Sequence, residues 1–293
     1  MLPLHRDQRF FLTGHGSLLG HVESWAILIS TEGAGWAMGF GILVLGLRIL
    51  GNVRTIDLDL FHEMALIREA LALGRIPMED VFAYTSSVSP VVHHEWGTGA
   101  VLYFVVVGLG LGANGLVLLR LLLLAGVVAC CMAVARSRGA GWTEMTMAAP
   151  LGIVLFWPGL SPVRAHMFTF LFLALLLVIL ERERKGDRRW LLLWPPLFVL
   201  WLNMHGGFVV GVCLLGLCAG ERFLRAACEE RKEERKEERK SGTVKGAALP
   251  DAFGRTWPLF LAVAVTVPLL VVNPTASTTS RTSGTRWPWT GRT

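Results

Sequence analysis

An all-α, polytopic transmembrane helix bundle of about seven to eight spans is the fold class this sequence predicts, and three observations predict it. The 293 residues are 53% hydrophobic and only 17% charged, and the mean hydropathy is +0.52. Apolar runs recur along the chain, separated by short polar or charged breaks. Basic residues collect in a few of those breaks, as they do on the cytoplasmic side of membrane proteins, which accounts for the net charge of +6 without nucleic acid as a partner.

Residues 1–24 form a polar cytoplasmic lead with no cleavable signal pattern, and residues 25–50 are the first expected span, interrupted by Glu32 and Gly33. Residues 51–96 form a large extracytoplasmic loop of catalytic type. Within it Leu60, Phe61, Met64, Ile67 and Leu71 recur at helical spacing, predicting a helix that lies in the membrane surface or packs on its own protein. Gly74 and Pro77 end that helix.

Residues 97–224 hold the transmembrane bundle. Its apolar runs cover residues 96–112, 116–135, 145–157, 168–180, 190–202 and 208–224. The run at 101–112 is short enough to be re-entrant or interfacial. A charged cytoplasmic loop follows at 225–256, with EERK repeated three times over residues 229–240; like charges at i and i+4 weaken an isolated helix there. Residues 257–274 are the last expected span.

Placing Arg136, Arg138 and the basic residues of 182–189 and 222–245 inside puts residues 161–166, 203–207 and 273–274 on the outer side, and residues 57–96 join them by parity when the run at 101–112 does not cross. This predicts a multi-pass location in the cell (inner) membrane, with membrane lipids as partners. The five cysteines, at 130, 131, 213, 218 and 228, have no metal-ligand spacing and read as small packing residues.

Residues 275–293 switch abruptly to Thr, Ser, Arg and Trp. A single inserted nucleotide after Pro274 permits Tyr-Gly and an apolar continuation in the shifted frame, so the tail is expected to be either disordered or aberrant, with the protein in the latter case continuing in another frame.

The candidate chemistry lies in the outer loop. Asp57 and Asp59 follow the first span, and His62, Asp80, His94 and Glu95 lie further along. Carboxylates so placed can hold a divalent cation (Mg or Mn, with Asp57 and Asp59 as ligands), act as general base toward an acceptor hydroxyl, or bridge to a sugar. Arg164 and His166 suit a phosphate or simply end a helix. Asn203 and His205 flank a break of irregular backbone, which in a membrane lines a cavity. No H-E-x-x-H, nucleotide-binding loop, nucleophile elbow or dinucleotide fingerprint occurs.

The order D-x-D (Asp57, Asp59), G-R-I-P-x-x-D-x-F-x-Y-T (from Gly74), H-E-W (His94–Trp96), Arg164-Ala-His166, Asn203-Met-His-Gly-Gly and Asn273-Pro274 resembles bacterial multi-pass glycosyltransferases of the GT-C superfamily, related to protein O-mannosyltransferases and aminoarabinose transferases. The resemblance implies transfer of a sugar from a polyprenyl-phosphate donor to an acceptor at the extracytoplasmic face. It makes Asp59, with Asp57 beside it, the base, and gives Arg164 or His166 a second polar role. Relatives often show R-P-Q where this chain has Arg164-Ala165-His166, and Tyr-Gly after Asn-Pro is missing. The alternatives are a multi-pass transporter, with ionisable groups along a path at the bilayer midplane, or a non-catalytic membrane fragment.

Overall fold

The computed structural model describes residues 58–79, 81–82, 91, 93–148, 152, 163–241 and 249–270, with residues 39 and 46. The chain divides into two compact units, residues 1–52 with 135–158, and residues 53–134 with 159–293. In the first, Arg136 sits 4.6 Å above the ring of Trp142, whose carbonyl accepts a hydrogen bond from Thr146. Apart from residues 39 and 46, the expected span at 25–50 lies outside the described residues, as do Asp57, Asp80, Asn273, Pro274 and the tail.

The second unit is all-α. Helix α1 (Leu58–Leu73) ends at Gly74, whose φ of +69° is the left-handed stop that glycine permits without a Cβ clash. Helix α2 (Trp96–Tyr103) continues through a wider turn at Phe104–Gly108, closed by the Leu109 N–H donating to the Phe104 carbonyl at 2.8 Å. Helix α3 spans Gly112–Ser137 and α4 spans His166–Arg184. A 3₁₀ turn (Arg188–Leu193) leads into α5 (Trp194–Met204), and α6 (Phe208–Ser241) and α7 (Leu249–Leu269) complete the unit.

Leu60 of α1, Leu102 of α2, Leu116 of α3 and Val163 form one core cluster, with Met64, Val106 and Leu119 packed against it. A second core surrounds α5. Trp194, Phe198 and Trp201, at spacings of four and three, are fully buried on one face. Trp201 meets Phe172 of α4, Phe198 meets Phe208 of α6, and the Trp194 indole donates to the Ala262 carbonyl of α7.

These elements correct the expected span count. Among the described residues one helix, α3, is long and apolar enough to cross a membrane, not seven or eight. Its 26 residues reach ~39 Å at 1.5 Å per residue, beyond the ~30 Å of a bilayer's hydrocarbon. Among the described residues, several of the other apolar runs fall short for identifiable reasons. Residues 96–108 and 253–269 form shorter apolar helices. The run at 190–202 is split: Pro195 and Pro196 lack backbone donors and start a new helix at its first turn, so 3₁₀ turn and helix replace one span. Helix α4 includes Glu181, Arg182, Glu183 and Arg184 in its last turn and buries its apolar face on its own protein. The expected multi-pass location in the inner membrane falls with the span count.

The interfacial helix is corrected as well. α1 buries Leu60, Leu66 and Ile67 within the unit and leaves Phe61 and Leu71 exposed. Gly99 is why α2 lies so close to it: a Cβ there would stand 2.6 Å from the Glu63 carbonyl oxygen. The EERK repeat continues α6 as helix to Ser241, consistent with the good helix propensity of Glu, Lys and Arg outweighing the i, i+4 repulsion.

Candidate functional site

Where the ends of α2, α4 and α5 meet the first turns of α1, carboxylates and imidazoles collect. Glu95 occupies the N-cap of α2 but makes no cap hydrogen bond. Its Oε1 lies instead 3.6 Å from Nε2 of His94 and 3.5 Å from Nε2 of His205. His205 follows the last turn of α5 in extended backbone (φ −165°, ψ 144°), which turns its ring back toward α2.

The tautomer of His205 follows from its other nitrogen. The Gly207 backbone N–H donates to Nδ1 at 3.0 Å, so Nδ1 accepts. The Trp201 indole donates to the Thr169 hydroxyl at 3.0 Å, which leaves that hydroxyl's own proton to point at Nδ1, 2.9 Å away. A neutral ring with Nδ1 as acceptor carries its proton on Nε2, facing Glu95. Burial, followed by the charges of His166 and His94, lowers the pKa of His205 and keeps it neutral.

The carboxylates are shifted the other way. Burial raises Glu63 from 4.5 to about 7, with smaller contributions from the negative charges of Glu95 and Asp59. One of its oxygens, Oε2, is buried with no hydrogen-bond partner among the described residues. Burial also raises Glu95, with Asp59 adding and His94 opposing.

The frame around these groups is rigid. The Trp96 indole donates to Asn203 Oδ1 at 2.9 Å, and the Asn203 amide donates to the Val199 carbonyl at 2.8 Å. The buried Thr98 hydroxyl donates to the Met204 carbonyl at 2.6 Å. Gly97 allows this contact between α2 and α5, since a Cβ there would meet the Asn203 carbonyl at 2.7 Å.

Of the residues singled out from sequence, Asp59, His94, Glu95, His166, Asn203 and His205 come together here. His166 starts α4, its ring 6.5 Å from that of His205 and 5.5 Å from Phe170. His62 is exposed and stacks edge-on against Phe82 at 4.9 Å. Arg164 is exposed just before α4. Glu63, Thr169 and Gly207 were not among the expected site residues. Glu63 was legible, because it falls four residues after Asp59 and so on the same helix face; the other two act through backbone and hydroxyl geometry that spacing does not reveal.

No group of three or more His, Cys, Asp or Glu side chains among the described residues converges as a metal site. The expected Asp57–Asp59 pair is described only at Asp59.

No protein-family model matches the chain, and neither curated proteins nor solved structures give a match. With one candidate span among the described residues in place of seven or eight, and no match to any family, the resemblance to GT-C glycosyltransferases is overturned. Sugar transfer from a polyprenyl-phosphate donor loses its support with it, and the multi-pass transporter falls for the same reason.

Proposed function

We propose that Glu63, Glu95 and His205 form an acid–base centre that moves a proton during hydrolysis or group transfer at a polar substrate. The observation that carries this reading is the placement of Glu95 Oε1 3.5 Å from His205 Nε2, while Gly207 and Thr169 hold Nδ1 as acceptor. An oriented imidazole beside a carboxylate is the usual arrangement for a group that passes a proton and returns it. Glu63, about half protonated at neutral pH, supplies the complementary acid. Catalysis by such groups contributes on the order of 10²–10⁴ in rate.

The test is turnover of chromogenic ester, amide and phosphoester substrates by wild type, Glu95→Gln and His205→Gln, from about pH 5 to about pH 9. The expected result is activity on one class, with an inflection near 7, reduced at least ~100-fold by either substitution. Turnover indifferent to both substitutions overturns the reading. So does absence of turnover on every class together with a Glu63 carboxyl that titrates like an exposed one.

A further inference from the structure

At the far end of α4 from the acid–base cluster, the chain turns through Glu181-Arg-Glu-Arg-Lys-Gly-Asp-Arg-Arg-Trp190. The acids of this turn are matched one by one. Glu181 and Glu183 are buried; Arg184 donates to Glu181 at 2.8 and 3.0 Å, and Arg222 of α6 pairs with Glu183. Arg189 pairs with Asp187 at 3.2 Å. Arg182, Lys185 and Arg188 are exposed and ion-paired to no carboxylate whose side chain the structure describes, and Arg255 is exposed beside them.

Around these four cations the surface is apolar. Leu192 is 74% exposed and Leu193 49%, in the 3₁₀ turn; Phe253 is 55% and Trp257 47% exposed, on the first half of α7. Arg188 ties the two elements together by donating to the Arg255 carbonyl at 3.2 Å. The Arg182 guanidinium lies 5.2 Å over the ring of Trp190.

We propose that this surface docks on an anionic lipid bilayer. These four exposed cations complement a negatively charged headgroup layer, and each is worth about a fivefold gain in partitioning at such a surface. The exposed leucines, phenylalanine and tryptophan then enter the boundary between headgroups and acyl chains, where aromatic and apolar side chains favour insertion. A soluble polyanion satisfies the cations but leaves Leu192 and Phe253 in water, and for that reason the bilayer is the better fit. The stacked Arg182–Trp190 pair presents an apolar body and a charged tip, the form that suits the interface.

Co-flotation of the full chain with vesicles of phosphatidylcholine alone, and of phosphatidylcholine with phosphatidylglycerol, tests this. The expected result is binding at least ~100-fold tighter to the anionic vesicles at low salt, weakening as salt rises. Arg182→Gln/Lys185→Gln/Arg188→Gln/Arg255→Gln removes that preference. Leu192→Ser/Phe253→Ser weakens binding to anionic vesicles while keeping its salt dependence. Circular dichroism checks that both variants keep the helical content of wild type; if the neutralised variant fails that check, the salt dependence of wild type decides alone. Equal binding to both vesicle types overturns the proposal, because it reports insertion of an apolar helix without charge recognition. Heparin that binds wild type and Leu192→Ser/Phe253→Ser alike, and competes off all vesicle binding in both, also overturns it in favour of a soluble polyanion.

Discussion

At its N-terminal end α4 brings His166 and Thr169 to a group in which Glu63, Glu95 and Asp59 repel one another and Glu95 lies against the imidazoles of His94 and His205. At its C-terminal end, ~28 Å away along 19 residues, each buried carboxylate has a guanidinium of its own. The first arrangement leaves Glu63 raised to about 7 and His205 depressed below its ordinary value. The second spends its charge on holding helices together: Arg222 reaches across from α6 to Glu183 and to the Leu180 carbonyl at 3.2 Å. Charge that is matched serves packing, and charge that is left mismatched in a rigid frame is available for proton transfer.

The comparison breaks first at Arg222. Arg222→Ala leaves Glu183 buried without its partner and is expected to cost about 3–5 kcal/mol in chemical denaturation. The double variant Arg222→Met/Glu183→Met is expected to recover most of that, because exchanging a buried pair for apolar groups of similar volume is close to neutral. A double variant as unstable as the single would show that the pair is not what holds α6 to α4.

Gly99→Ala comes next. Its Cβ would stand 2.6 Å from a backbone oxygen of α1, so α1 and α2 must separate, at about 1–3 kcal/mol. The same movement displaces Glu63, so its titration near 7 is expected to drop toward the ordinary carboxylate range. A destabilised variant whose Glu63 still titrates near 7 would separate the packing from the electrostatics.

Glu63→Gln sharpens the mismatched end through pH. Because the folded pKa is raised from 4.5 to about 7, protonated Glu63 contributes stability that is complete below 4.5 and is lost as pH rises through about 7. Glutamine stays neutral throughout, so the variant is expected to match wild type in acid and to exceed it above pH 7 by roughly 1–2 kcal/mol, allowing for solvent screening of a partly exposed group. His205 has the opposite sign. Its depressed pKa gives stability that is present above 6.5 and lost as pH falls, so His205→Gln is expected to flatten the acid side of the thermal-unfolding profile. Identical pH profiles for wild type and both variants would remove the distinction between the two ends of α4.

The smallest effect belongs to Trp96→Phe. It keeps the ring and loses the hydrogen bond to Asn203, at about 0.5–1.5 kcal/mol by thermal unfolding. A change within error would mean that Thr98 and the Met204 carbonyl suffice to join α2 to α5.

Much of the helical content was legible along the chain. The spacing of Leu60, Met64 and Ile67 marked α1, Gly74 its end, and the run at 116–135 lies inside α3. The environment of those helices was not legible. Apolar periodicity reports that a face seeks burial, and it is the same whether protein or lipid provides it. Leu66 and Ile67 found protein, as did Phe168, Phe172 and Leu176 of α4, and that turned an expected bundle of spans into a packed core with one candidate span among the described residues.

The site divides in the same way. Residue types alone placed His94, Glu95, His166, Asn203 and His205 among the candidates, because polar and ionisable groups in an apolar chain carry a cost that something must repay. Burial and protonation within that group came from three dimensions. Asp59, the expected base, is exposed in the first turn of α1, and Glu63 one turn on is the carboxyl that burial lifts to about 7. That difference depends on which side of α1 meets α2, and on a glycine at position 99 that lets them touch. The sequence therefore determined the helices, their breaks and the inventory of ionisable groups, all of which depend on local backbone preference and side-chain chemistry. Tertiary packing settled burial, tautomer and proton affinity, because each depends on neighbours that lie far away along the chain.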